Sequence, residues 1–221
     1  MATTPTKLIL YNRALRILGE RQLHSTTGLT EARKPRYLLD GAWNDNLREN
    51  CLEAGLWNFA MRTVQASYDS DVTPSFGHTY AFSKPTDFIR TAEVSTDEYF
   101  SEPLLSYTDE QGYWYASVQT VYFKYVSDDS SYGLDYSIWP DSFTNYVAHH
   151  LAGEIITGLT KDHDFTKEFL KLLNRSLVNA KNKDAMAEPT KFPPQGNWVR
   201  SRRGGTGTSW GDRGSRGRLT G

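Results

Sequence analysis

Apolar positions recur every three or four residues at the start of the chain. Leu8, Tyr11, Leu15 and Leu18 share one helical face. Thr4 is the expected N-cap, Pro5 suits the first helical position, and Gly19 can close the end. The spacing predicts a helix over 5–18, followed by a polar connection over 20–29. A longer helix is expected from about Thr30 to Ala54, because Leu39, Trp43, Leu47 and Cys51 form a stripe at spacing four. Arg36, Asp40, Asp45, Arg48 and Glu49 fill much of its other surface, and Gly55 ends it. Pro35 falls early, where a missing N–H costs least.

The period then shortens. From Trp57 to Tyr136 the chain is rich in Tyr, Phe, Val and Thr, with turn residues between short runs. Strands are expected at 62–68, 78–82, 89–95 and 98–105, and most clearly at 113–117 paired with 120–126. In the last run Val121, Phe123 and Tyr125 alternate with Tyr122, Lys124 and Val126. Both faces carry apolar or aromatic side chains, so this strand is expected to be central or covered. Lys84-Pro85-Thr86-Asp87 and 128–133 read as turns.

Helical spacing returns after Trp139-Pro140. Asp141 is the expected cap of a helix carrying Phe143, Tyr146, Val147, Leu151, Ile155 and Leu159. Asp164 is the expected cap of another, with Phe165, Phe169, Leu172, Leu173 and Leu177 on one side, fraying near Ala187 before Pro189. The resulting fold class is α+β: a four-helix bundle with an inserted antiparallel β-module and an extended C-terminal tail. The bundle is expected from 1–56 and 139–188, the β-module from 57–138, and a Gly/Arg-rich arm from 189–221. Four amphipathic helices in one bundle is the economical arrangement, since none buries its stripe alone.

Composition changes this picture in one respect. The 221 residues carry 25 Lys+Arg against 26 Asp+Glu, a net −1. From Gln195 to Gly221, however, six Arg face one acid, Asp212, which is +5 and leaves −6 on the first 194 residues. An acidic body thus ends in a basic arm with eight Gly. Such an arm has too little apolar surface to offset its ordering entropy, so alone it is expected to lack fixed structure. The single Cys51 excludes an internal disulfide and any Cys-rich zinc site. No apolar run is long enough to cross a membrane. The first twenty residues show no secretory apolar region, and the expectation is synthesis in a reducing cytosol.

Candidate chemistry is sparse. His149, His150 and Glu154 form the one metal-like group, but two ligands on one helix face fall short of a zinc site. Asp162-His163-Asp164 could suggest a base with orienting carboxylates, although a cap at Asp164 explains it better. Cys51 lies on an apolar stripe and reads as a core residue. No glycine loop follows a strand to cradle phosphate. The expectation is a chain that is not an enzyme, with no cofactor and no metal. The arm is different, because its arginines interleave with Gly, Trp198 and Trp210. Such a segment can bind nucleic acid by phosphate contacts and stacking, or dock on a protein with Arg and Trp as anchors.

Several segments, taken in order, resemble the tail tubular protein A family, the head-to-tail connector adaptors of short-tailed bacteriophages. Tyr11-Asn12-Arg13-Ala14-Leu15-Arg16-Ile17-Leu18-Gly19-Glu20 is similar to the family's opening helix with its Asn-x-Ala-Leu-x-x-x-Gly pattern. Trp57-Asn58-Phe59-Ala60 resembles the Trp-x-Phe-Ala segment that leaves the second helix. Phe82-Ser83-Lys84-Pro85-Thr86-Asp87-Phe88 resembles the proline-bearing turn before the next strand. Trp139-Pro140-Asp141-Ser142-Phe143 and Leu151-Ala152-Gly153-Glu154-Ile155 resemble the start of the third helix. Each motif is short, and their order and spacing carry the resemblance. It spans residues 8–187 and leaves the arm uncovered.

The resemblance implies a structural virion protein of the tail or neck. Such adaptors form a ring, of twelve copies, that docks on the portal and presents a platform to the nozzle or distal tail protein. DNA passes through the lumen without specific binding. On this reading the arm docks on the portal, with Phe192, Trp198, Arg200, Arg202, Arg203, Trp210, Arg213, Arg216 and Arg218 as anchors. An acidic body suits a DNA conduit, because a basic lumen would hold phosphates. The alternatives are a nucleic-acid-binding protein acting through its Arg/Gly arm, a metal-dependent enzyme at His149, His150 and Glu154, and a neck protein of a long-tailed phage.

Overall fold

The computed structural model describes residues 6–24, 33–75, 77–101, 103–110, 112–160 and 163–187. The chain divides into two units, 1–188 and 189–221, and the elements below all belong to the first.

The first helix, α1, spans Lys7–Ile17. Its cap is Thr6, whose side chain accepts from Ile9 N; the expected cap and first position, Thr4 and Pro5, lie outside the described residues. Its C-terminus closes as a Schellman motif. Gly19, at φ 73°, donates to Arg16 O (3.2 Å), and Glu20 N donates to Leu15 O (2.8 Å). The chain then turns back on its own helix. Asn12 Oδ1 accepts from Leu23 N at 2.7 Å, and Asn12 Nδ2 donates to Leu23 O at 2.9 Å. One side chain thereby satisfies both backbone groups of Leu23, whose own side chain enters the core.

The long second helix of the sequence reading is two helices, α2 (Lys34–Asn44) and α3 (Leu47–Glu53). They are separated at Asn46, which adopts a left-handed φ of 56°. Asn is among the few residues that visit this region readily. The stripe survives the break: Leu39, Trp43, Leu47 and Cys51 are all buried.

A 3-10 turn, Asn58–Ala60, leads into six strands: β1 (Met61–Ser67), β2 (Tyr80–Ser83), β3 (Phe88–Ser95), β4 (Tyr107–Glu110), β5 (Tyr113–Ala116) and β6 (Thr120–Ser127). They form two antiparallel sheets of three, ordered β1-β6-β3 and β2-β5-β4. β6 is central in its sheet, as its two apolar faces predict, and pairs Met61↔Val126 through Ser67↔Thr120 with β1. Two expectations are corrected. The described residues of 98–105 form no strand beyond an isolated bridge, Ser95↔Pro103, and the strand lies instead at β4. β5 and β6 do not pair as a hairpin; the chain crosses from one sheet to the other between them. Phe82, Val94, Trp114, Ala116, Val121, Phe123 and Tyr125 fill a core shared by the two sheets.

The remaining helices are α4 (Asp141–Leu159) and α5 (His163–Ala187). Pro140 is the N-cap of α4 and Asp141 its first helical residue, so Asp141 does not cap it. Its carboxylate still favours the positive helix end. Likewise Asp164 lies inside the first turn of α5. α1, α2, α3 and α5 all pack on α4. This is why α4 buries residues around most of its circumference, including Phe143, Tyr146, Val147, Ala148, Leu151, Ile155 and Ile156. Each large aliphatic or aromatic side chain so placed contributes about 1.5–3 kcal/mol. α5 is more exposed than its apolar positions suggest. Phe169 is buried, but Phe165 and Leu172 are 41% and 47% exposed.

The described residues are therefore α+β, with five helices and two small three-stranded sheets, and they show no clear four-helix bundle. Met61, Ile89 and Val126 carry the helical core into the first sheet.

Candidate functional site

All nine expected portal anchors, Phe192, Trp198, Arg200, Arg202, Arg203, Trp210, Arg213, Arg216 and Arg218, lie outside the described residues. So do Lys161 and Asp162. The candidate groups that remain are placed as follows.

His149 and His150 occupy adjacent positions of α4 and diverge. His149 Nδ1 meets Asn145 O at 2.8 Å, and its ring stacks on Phe169. His150 packs edge-on against Tyr146, with Nδ1 3.8 Å from Glu154 Oε1, beyond hydrogen-bond reach. Among the described residues no three His, Cys, Asp or Glu side chains gather as metal ligands would. Cys51 is fully buried, and burial pushes its thiol well above the usual range. It has none of the electropositive exposure a nucleophilic thiolate needs. His163 and Asp164 are both exposed, and Asp164 stands 3.7 Å from Lys167.

The motif residues have structural partners instead. The Trp57 indole is buried between α3 and α4; its Nε1 donates to Cys51 O at 3.0 Å, and its ring meets Phe143 edge-on at 4.8 Å. Asn58 ties the same segment to the last turns of α5. Its N–H lies 3.1 and 3.2 Å from the two Asp184 carboxylate oxygens, and its Nδ2 donates to Asp184 O at 2.9 Å.

The proline-bearing turn supplies two charged anchors. Asp87 accepts from Arg62 Nη1 (2.8 Å), from Tyr125 OH and from Ser127 Oγ. Partial burial works to raise the Asp87 carboxyl, but the hydrogen bonds from Ser127 and Arg62 outweigh it and hold the group below the usual carboxylate range. Burial, with the Asp87 charge beside it, pushes the Tyr125 phenol up to about 12. Lys84 sits over the Phe88 ring (4.5 Å), pairs with Asp109 and donates to Glu110 O. Thr91 closes the group by donating to Asp109 and accepting from Trp114 Nε1 at 2.8 Å. Lys84 and Thr91 thereby join the two sheets.

Among the described residues, two open clefts bear on function. One, of about 360 Å³, is lined by His78, Thr108, Glu110 and Tyr115. His78 Nε2 meets Thr108 Oγ1 at 3.0 Å and Nδ1 meets Ser117 Oγ at 3.5 Å. Among the described residues no carboxylate is seen bonded to the imidazole, and a Ser–His nucleophile with an orienting acid is not assembled there. The other, of about 370 Å³, lies where the Trp57 segment meets α5 and is lined by Leu56, Arg90, Lys181 and Asp184 among others. It combines two cations with an exposed apolar side chain. Sequence reading passed over it because its residues come from three distant segments; the one local signal is Leu56, an apolar residue outside every stripe.

No protein-family model matches the chain, and a search of curated proteins finds no match either.

Proposed function

We propose that this chain is a structural subunit of a phage head-to-tail connector, the role its resemblance to the tail tubular protein A adaptors implies. On this reading copies assemble into a ring of twelve beneath the portal, present a platform to the nozzle or distal tail protein, and surround the path of the ejected DNA. The finer architecture belongs to the same proposal: α1, the α2–α3 pair, α4 and α5 act as a four-helix wall that carries the β-module, and residues 189–221 form the arm that docks on the portal. The chain's place is then the tail or neck of the virion.

One observation carries most weight. The residues that bear the resemblance are used to build contacts between elements rather than to line a reaction site. Asn12 clamps Leu23, Trp57 fills the junction of α3 and α4, Asn58 binds Asp184, and Asp87 anchors β1 and β6. Motifs spent on scaffold geometry suit a subunit whose task is to hold a shape. The acidic charge of the first 194 residues agrees with a conduit for DNA.

The test is the native mass of the purified chain, alone and with its head portal. Twelve copies of 25.1 kDa give a species of about 300 kDa. That species, or a stoichiometric ring on the portal, is the expected result. A monomer that ignores the portal would overturn the reading, and salt-sensitive nucleic-acid binding lost with the arm would then favour the Arg/Gly alternative.

A further inference from the structure

We infer that the Arg90–Lys181 cleft of one copy receives the Glu98–Tyr99 loop of a second copy, in a head-to-tail contact; this rests on the connector reading above and supplies the subunit contact that reading requires.

The cleft offers positive charge beside apolar surface. Arg90 Nη1 donates to Glu53 O at 3.2 Å, and neither Arg90 nor Lys181 pairs with a carboxylate among the described residues. The acid in the lining, Asp184, has both oxygens directed at Asn58 N. Leu56, 45% exposed, stands beside the two cations. The volume, about 370 Å³, falls at the lower end of clefts that hold a ligand, roughly 300–1,000 Å³.

The loop offers the complement. After β3 the chain turns on Asp97, whose carboxylate accepts from Ser95 Oγ and from Ser101 N (3.0 Å), while Phe100 N donates to Asp97 O. The return is fastened by the Ser95↔Pro103 bridge and by Leu104 N donating to Val94 O at 2.8 Å. This base presents Glu98 and Tyr99 outward, with Tyr99 79% exposed. No cation pairs with Glu98 among the described residues. A carboxylate next to an exposed aromatic ring matches two cations next to an exposed leucine. Glu98 would lie between Arg90 and Lys181, and Tyr99 against Leu56.

Geometry makes the contact intermolecular. Arg90 lies near the start of β3, and the loop follows its end. The five steps from Arg90 to Ser95 span about 16 Å of extended chain, so the loop cannot fold back into its own cleft. Donor and acceptor surfaces at opposite ends of one strand make a heterologous interface, which closes into a ring when the rotation between copies permits.

The experiment compares the full-length chain with Lys181→Glu, Glu98→Lys and their double variant, by sedimentation velocity alone and by stoichiometry on the portal. Both substituted residues lie on the surface, and thermal melts check that each variant folds as the parent does. Each single reversal is expected to weaken self-association about tenfold or more, and the double swap to restore it. Tyr99→Ser, which changes no charge, is expected to weaken it too. If the parent assembles and the single variants assemble equally well, this contact is wrong and the connector reading stands. If the parent stays monomeric both alone and with the portal, both fall.

Discussion

Trp114 and Phe123 stack face to face, with centroids 4.0 Å apart and planes 12° from parallel, although the consecutive strands that carry them belong to different sheets. The stack is the centre of the core that joins those sheets, and Phe82 and Phe88 close on it edge-on. Trp114→Ala is expected to cost about 3–5 kcal/mol by opening that core. Trp114→Phe keeps a ring but orphans the bond to Thr91 Oγ1, and should cost less. Urea unfolding of both variants checks the order.

Asn12→Leu tests the clamp on Leu23. The substitution keeps the size of the side chain and removes both hydrogen bonds. Two backbone groups lose their partner, at an expected cost of about 1–3 kcal/mol. The loss should appear in denaturant unfolding, together with faster hydrogen exchange at Leu23 N–H.

Gly133→Ala tests a close approach. A Cβ there would stand 2.1 Å from Ser127 O and 2.9 Å from Leu52 Cδ1, so the backbone must move. That shift drags Gly133 O from Trp139 Nε1, now 2.7 Å away. The expected cost is about 3 kcal/mol or more, read by thermal unfolding with a change in tryptophan emission.

Acid should loosen the anchor at Asp87. Its folded carboxyl titrates below the ordinary value, so its stabilisation is complete above the unfolded value near 3.9 and fades as pH falls through the lower folded value. Asp40, hydrogen-bonded by Lys7 and Tyr11, adds to the same acid limb. Asp87→Asn is expected to flatten that limb in a series of melts from pH 6 to pH 2. An unchanged profile would show that other carboxylates set it.

Deleting 195–221 separates docking from folding. The truncated chain is expected to melt as the full chain does, while head–tail joining, counted as assembled particles, is lost. Normal joining by the truncated chain would defeat the proposed role of the arm.

How much of this was legible in the sequence depends on which physical signal was asked. Hydrophobic spacing located the buried faces well: Tyr11, Leu15, Leu39, Trp43, Cys51, Phe143 and Leu151 are all interior. It was blind to the break at Asn46, because a kink that preserves the i, i+4 stripe leaves the pattern intact. The two-faced character of β6 correctly predicted a central strand. Alternation tells which face is covered, not which strand is adjacent, so β5 and β6 looked like a hairpin. β4 carries Asp109 and Glu110, poor strand formers, and is held by Lys84 and Thr91 from outside its own segment. The Arg90–Lys181 cleft had one local sign, the unstriped Leu56, since the rest of its lining meets only after folding.

The hold on α5 has a mechanical side. Along its length the helix rests on α4, and near its end Asp184 grips Asn58, just ahead of β1. Ala187, its last residue, stands three residues beyond that grip. Tension applied at Ala187 therefore reaches the Asp184–Asn58 joint within one helical turn. From there it runs through Ala60 into β1 and the first sheet. A pull on the end of the helix is a pull on the β-module, carried by a single residue pair, Asn58 and Asp184.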